Sequence, residues 1–201
     1  MSCPVTPVHD PDTLPPGLPR PVDDGGAAHL PGATLPHVAL TDTDGQHVDL
    51  AALAGRSVVY AYPRTGRPGQ APLVDDWDAI PGARGCTPES CAFRDHHAEL
   101  TELGVRVLGL STQSTADQAE AVERLHLPFP LLSDDRHRLT DGLRLPTFDV
   151  AGQRLLRRLT LLVADGAIEH VWYPVFPPDA HAGEVVAWLR DHPEGEPAGR
   201  G

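Results

Sequence analysis

Two cysteines five positions apart, Cys86 and Cys91, are the residues of this 201-residue chain best placed to do chemistry. Thr87-Pro88-Glu89 follows the first as a helix opening, with Thr87 the expected N-cap, Pro88 the first helical residue and an acid in the first turn. Backbone N–H groups and the positive end of a helix dipole favour a thiolate at such a place, and the thiolate is the nucleophilic form. Attack on a peroxide O–O bond would transfer one oxygen to sulfur and expel hydroxide or alkoxide, so the site would need donors aimed at the reacting oxygens. The product is a sulfenic acid. A second thiol converts it to a disulfide before more peroxide drives it to the irreversible sulfinic state, and Cys91 fits that second role.

The helical wheel sets the two thiols apart. Cys86 and Phe93 are nearly in line, on a stripe continued by Leu100 and Leu103, so Cys86 should face inward and Cys91 should lie on the more accessible side. A disulfide needs Cα atoms within ~7 Å, whereas five helical residues rise ~7.5 Å along the axis alone. If both cysteines sit in one helix, joining them means unwinding its first turns.

The elements that must hold these residues alternate in type. A short strand at 38–40, a turn at Asp44-Gly45 and an extended stretch to Leu50 open the folded part. Residues 57–62, Ser-Val-Val-Tyr-Ala-Tyr, read as a strand buried on both faces. A Pro/Gly/Asp-rich loop over 63–85 leads to the cysteine helix, which should end near Leu103 with Gly104 as C-cap. A strand at 105–110 follows, then a helix from Thr115 to about Leu125 with Thr115 and Gln118 as a capping box. A further β-α pair is expected at 131–132 and 135–143, a hairpin of 155–163 with 168–173 turning at Asp165-Gly166, and a last helix that stops before Pro193. This is the pattern of an α/β sandwich with a mixed sheet in one domain over 32–195. Residues 1–31, rich in Pro, Gly and Asp and carrying Cys3, read as a disordered tail, with a second short tail at 196–201.

Composition narrows the partners. With 28 acidic against 16 basic residues the net charge is -12, which disfavours nucleic acid and anionic membrane surfaces. No apolar run reaches the ~20 residues of a membrane span and no secretion signal is evident, so a cytoplasmic location is expected. Three cysteines are too few for a disulfide scaffold.

The segment Gly85-Cys86-Thr87-Pro88-Glu89-Ser90-Cys91-Ala92-Phe93-Arg94-Asp95 resembles the signature of the Q-type peroxiredoxins, also called bacterioferritin comigratory proteins. In that signature Gly-Cys-Thr precedes a second Cys and Phe-Arg-Asp. The resemblance runs from about Leu35 through Pro63-Arg64-Thr65-Gly66 to the last helix. It implies a thioredoxin-like fold and a thiol-dependent peroxidase for hydrogen peroxide and organic hydroperoxides, monomeric or homodimeric, with no cofactor or metal. It also implies that Cys86 attacks, that Cys91 resolves within the same subunit, and that a thioredoxin-like protein is the reductant. An arginine at the head of a strand reading Arg-x-Ser/Thr should hold the thiolate and the peroxide. Arg158-Leu159-Thr160-Leu161-Leu162 matches, and the alternation of Arg158, Thr160 and Leu162 onto one face selects Arg158 over Arg157.

The sequence departs from the family at Pro-x-x-x-Thr-x-x-Cys, whose places hold Ala79 and Ala83. An insertion separates Pro63-Arg64-Thr65-Gly66 from Pro81-Gly82-Ala83-Arg84-Gly85-Cys86, so Pro63 and Thr65 are candidates to reach the site from a longer loop, or Thr87 to stand in. Arg84 either adds positive charge there or faces solvent. Rival readings are a zinc site of Cys86, Cys91 and His96 or His97, a dithiol-disulfide oxidoreductase with Pro146 as a cis-proline, and a non-catalytic redox sensor. The diverging thiols and the lack of a fourth ligand oppose the first, and the four residues between the cysteines, instead of two, oppose the second. Trp188 and Trp172 read as packing residues, and Trp77 as a pin for the long loop or part of an interface.

Overall fold

The computed structural model describes residues 10–193; Cys3 and the expected C-terminal tail lie outside them. In chain order the strands are β1 (Ala39–Asp42), β2 (His47–Asp49), β3 (Arg56–Ala61), β4 (Arg106–Ser111), β5 (Leu131–Ser133), β6 (Thr147–Val150), β7 (Gln153–Leu156), β8 (Leu159–Ala164) and β9 (Ala167–Trp172). The helices are α1 (Cys86–Asp95), α2 (His97–Glu102), α3 (Thr115–Leu125), α4 (Arg138–Leu143) and α5 (His181–Asp191). Seven strands form one mixed sheet in the order β2-β1-β5-β4-β3-β8-β9, and β6-β7 form a separate ribbon.

All six residues of β3 are buried because both faces of the sheet are covered. Val58, Tyr60 and the following Tyr62 pack with Phe93, Leu100, Leu125 and Val185 of the helices on one side. Val59 and Ala61 pack with Leu108, Leu161, Leu139 and the N-terminal Leu30 on the other. Strand β3 runs parallel to β4 and antiparallel to β8, with Ala61 opposite Leu159. The next residue outward on each side is Tyr62 and Arg158, so the loop leaving β3 and the turn entering β8 meet at one end of the sheet.

Several local expectations are corrected. Helix α1 is capped by Gly85, not Thr87: Gly85 takes a left-handed φ of 104°, and a Cβ there would stand 2.3 Å from Pro178 Cγ. Thr87 therefore lies inside the first turn and Pro88 at the third helical position, where its missing N–H still costs no bond. The expected single helix breaks at His96 into α1 and α2 before Gly104 ends it. Ser114, not Thr115, caps α3, accepting from Asp117 N at 3.2 Å while its hydroxyl donates to Asp117 Oδ2 at 2.8 Å. Leu155 and Leu156 belong to β7, which pairs with β6 around Ala151-Gly152, both at positive φ. Alanine in a place that asks for Asn or Asp hid this turn. The cis peptides precede Pro174 and Pro177, not Pro146.

Residues 10–31, expected as disordered tail, lie against the body. Leu30 is wholly buried, Tyr173 donates to Asp24 at 2.8 Å, and His29 Nε2 meets Leu143 O at 2.8 Å. The segment is held by Ala27 and Leu30 in the core and by single polar contacts elsewhere, too sparse a set to make an apolar period.

Candidate active site

Gly85 turns the chain so that Cys86 becomes the first residue of α1, at the end of the sheet where β3 and β8 converge. Cys86 Sγ lies 3.1 Å from Nη2 of Arg158 and 3.6 Å from Ala83 O. The same Nη2 donates to Arg84 O at 3.1 Å and Gly82 O at 3.3 Å, and Nη1 is ion-paired with Glu89. Glu89 is three residues beyond Cys86 and so on the same helix face. Neither Glu89 nor Arg158 has a meaningful route to solvent, at 0% and 3% exposure. On the same face of β8 as Arg158, Thr160 meets Nε2 of the buried His181 at 2.8 Å, and burial together with Arg158 pushes that imidazole down to about 3, so it stays neutral.

Burial pushes the Cys86 thiol up, and this corrects the expectation that its helix position alone makes it easily ionised. The Arg158 charge pulls it back down, Glu89 raises it, and hydrogen bonds from Arg158 and from the Arg64 backbone N–H lower it. Burial likewise raises the Glu89 carboxyl to about 7 against the pull of Arg158. Burial opposes the charge on Arg158 too, but its two acidic neighbours hold it protonated. One guanidinium thus serves two buried acids, and the neutral arrangement leaves one proton between Cys86 and Glu89. The thiol of Cys91 is also raised, chiefly by burial.

A cavity of about 230 Å³ opens over Cys86, with Arg64, Thr65, Ala83, Thr87 and Gln113 in its wall. The insertion forms its outer side. Trp77, in a short 3-10 turn over Trp77–Ala79, packs with Leu155 and Phe148 of the β6-β7 ribbon. Arg67 binds Asp117 at 3.0 Å, and Arg124 donates to Gly66 O at 2.9 Å, tying the insertion to α3. The Gln113 amide clamps Thr65, accepting from its N–H at 2.8 Å and its hydroxyl at 3.2 Å. The Thr87 hydroxyl, by contrast, is buried with no hydrogen-bond partner. A thiol set against an arginine, with a backbone N–H and an unused hydroxyl nearby, can be ionised and can receive an oxygen-rich small molecule. Among the described residues no group of three or more His, Cys, Asp or Glu could hold a metal ion, and no helix is long and apolar enough to cross a membrane.

The Redoxin family model matches residues 30–186. Peroxiredoxin Bcp of Escherichia coli K12 is 33% identical over 171 residues, covering 80% of this chain and 96% of that protein. The chain belongs to the Q-type, or Bcp-type, peroxiredoxins. Peroxiredoxin Q of rice, a chloroplastic protein, is 31% identical over 160 residues, 79% of this chain, which spans 66% of the rice protein's length. Among solved structures, peroxidoxin BcpB of Mycobacterium tuberculosis superposes with a TM-score of 0.64 at 27% identity, covering 82% of this chain and 99% of that one. Peroxiredoxin Q of Xanthomonas campestris gives 0.63 at 25% identity, covering 80% and 96%. The fold is therefore thioredoxin-like, a mixed central sheet flanked by helices, and the chain is an enzyme of the thiol peroxidase class.

Against this peroxiredoxin frame the expected site residues separate. Cys86 and Arg158 meet directly, and Thr65 lines the cavity but has its hydroxyl committed to Gln113. Pro63 stands behind the wall, its carbonyl accepting from Ser111 Oγ at 3.0 Å. Cys91 is half-buried further along α1 and unbonded to Cys86. Arg157 lies outward beside Phe148 and 3.8 Å from Asp24, whereas Arg84 is buried and does not face solvent. His96 pairs with Glu99 at 2.7 Å and His97 sits by Phe129. Two residues were missed by sequence reasoning. Glu89 is expected from the sequence only as an acid in the first turn, although its spacing from Cys86 places it on the buried face. Gln113 has no local signal, because it reaches the site only through the pairing of β3 with β4.

Proposed function

We propose that Cys86 is the peroxidatic cysteine, that Cys91 resolves it within the same subunit, and that Arg158 holds the reacting thiolate. The observation that carries this reading is Arg158 Nη2 at 3.1 Å from Cys86 Sγ on the floor of the cavity. The thiolate attacks the nearer peroxide oxygen, the S–O bond forms as O–O breaks, and the departing alkoxide or hydroxide takes a proton. The Thr87 hydroxyl and the Arg64 backbone N–H are the donors the cavity wall offers to the oxygens, with the Arg158 charge held against the sulfur. Cys91, as thiolate, then attacks the sulfenic sulfur, and hydroxide leaves to be protonated to water. A thioredoxin-like dithiol restores both thiols, a step suited to a reducing, cytoplasmic setting. Hydrogen peroxide and organic hydroperoxides are the substrates, since the cavity has room for more than two oxygens.

Mass mapping of the peroxide-treated protein tests the assignment. The expected product is one intrachain bond between Cys86 and Cys91 with Cys3 free. A bond from Cys86 to Cys3, or between two chains, would remove Cys91 from the resolving role.

A further inference from the structure

The cavity over Cys86 holds a charge that peroxide cleavage does not use. Three arginines line it. Arg84 is buried and donates to Thr13 O at 2.9 Å and to Asp10 O. Arg67 is taken by Asp117 at 3.0 Å and Glu120 at 3.7 Å, and Glu120 is held again by Arg124 at 2.8 Å. The two carboxylates of the wall are thereby neutralised.

Arg64 differs from both. Its side chain makes no hydrogen bond, ion pair or ring contact with any described residue, and it shares the cavity wall with Cys86, whose thiol its backbone N–H helps to lower. Its main chain is fixed on both sides, by the Gln113 clamp on Thr65 and by the ring of Pro63. The result is one uncompensated guanidinium, anchored beside the nucleophile, in a chain whose net charge of -12 otherwise repels anions.

We propose that Arg64 is a specificity-determining residue that selects hydroperoxides carrying a carboxylate remote from the O–O bond. The inference rests on the peroxidase reading given above and names a substrate class for that site. A guanidinium presents paired N–H donors that match a carboxylate bidentately, and such a charge-assisted pair is stronger than a neutral one. Hydrogen peroxide would gain nothing from it. An organic hydroperoxide with its acid group several bonds from the reacting oxygen would be held with the peroxide at Cys86 and the acid at Arg64.

Cumene hydroperoxide and its para-carboxylate derivative share one reacting centre and differ in the charge, so the ratio of their kcat/KM values isolates Arg64. With the full-length protein recycled by thioredoxin and its reductase, the carboxylate form should be favoured about tenfold, as one charge-assisted pair allows. Arg64→Gln should bring the ratio to about one, and Arg64→Lys should recover part of it, which a purely structural role would not do. A wild-type ratio near one, or a ratio that Arg64→Gln leaves unchanged, overturns the inference while both peroxides are still consumed. If neither they nor hydrogen peroxide are consumed, the peroxidase reading falls and takes this inference with it.

Discussion

Replacing Glu89 with Gln should speed attack by Cys86, and the structure sets the size of the effect. Glu89 and the Cys86 sulfur occupy Nη1 and Nη2 of one guanidinium, and all three side chains are buried. Two negative charges so placed are about 5–6 Å apart and repel by about 3 kcal/mol at an effective dielectric constant of about 20. At 1.4 kcal/mol per factor of ten, removing that repulsion raises the thiolate fraction roughly a hundredfold wherever Cys86 is mostly protonated. A more easily formed thiolate is a weaker nucleophile, with a Brønsted slope of about 0.4–0.5, which takes back about a factor of ten. The net gain is roughly tenfold. Its pH dependence follows from the Glu89 carboxyl at about 7. Below that pH Glu89 carries its proton in the wild type and the two proteins should react alike; above it the carboxylate charge appears and the variant should pull ahead. Stopped-flow measurement of the second-order rate with hydrogen peroxide between about pH 5 and 8.5 reads this directly. Gln keeps a carbonyl for Arg158 to bond, so a variant equal to or slower than wild type at pH 8 would show that Glu89 serves to hold Arg158 and not to oppose the thiolate.

Arg158→Ala removes the main charge that draws the Cys86 thiol down, so attack at pH 7 should slow by about a hundredfold or more, partly rescued at higher pH; an unchanged rate takes Arg158 out of the site. Thr87→Val should lose about tenfold in peroxide reactivity with folding intact, as expected for one neutral hydrogen bond, while Thr87→Ser should keep most of it. Trp77→Ala empties the contact between the insertion and the β6-β7 ribbon, and urea unfolding should show a loss of about 3 kcal/mol.

Most of the fold was legible because its signals are local and periodic. The uninterrupted run of β3, the stripe from Cys86 through Phe93 to Leu100, and the Asp165-Gly166 turn all appear where side-chain alternation placed them. The β6-β7 ribbon was not legible, since Ala151 takes a conformation its residue type does not advertise. At the site, Cys86 and Arg158 could be read from motif and strand parity. The Thr65–Gln113 clamp and the contact of Arg84 with Thr13 span 48 and 71 residues and have no sequence period at all. Thr65 was reasonable by type, yet its hydroxyl has a partner and that of Thr87 does not. Satisfaction of a hydroxyl is a property of the packed state alone.

In the proposed cycle, the contacts that prepare Cys86 for attack also resist its bond to Cys91. The first turn of α1 is pinned by Arg158 on Glu89 and on the carbonyls of Gly82 and Arg84, and Gly85 is wedged against Pro178 and Leu14. Oxidation changes that balance. Once the sulfur becomes a neutral sulfenic acid it no longer draws on the Arg158 charge, and what remains is the buried pair of Arg158 with Glu89, whose charges regain hydration if the turn opens. The cost of opening is bounded by the break at His96, which leaves α2 and its buried Leu100 in place while the first turns of α1 come apart. In this reading the charge state of one sulfur decides whether the helix start is held or released, so the step that consumes peroxide also admits Cys91.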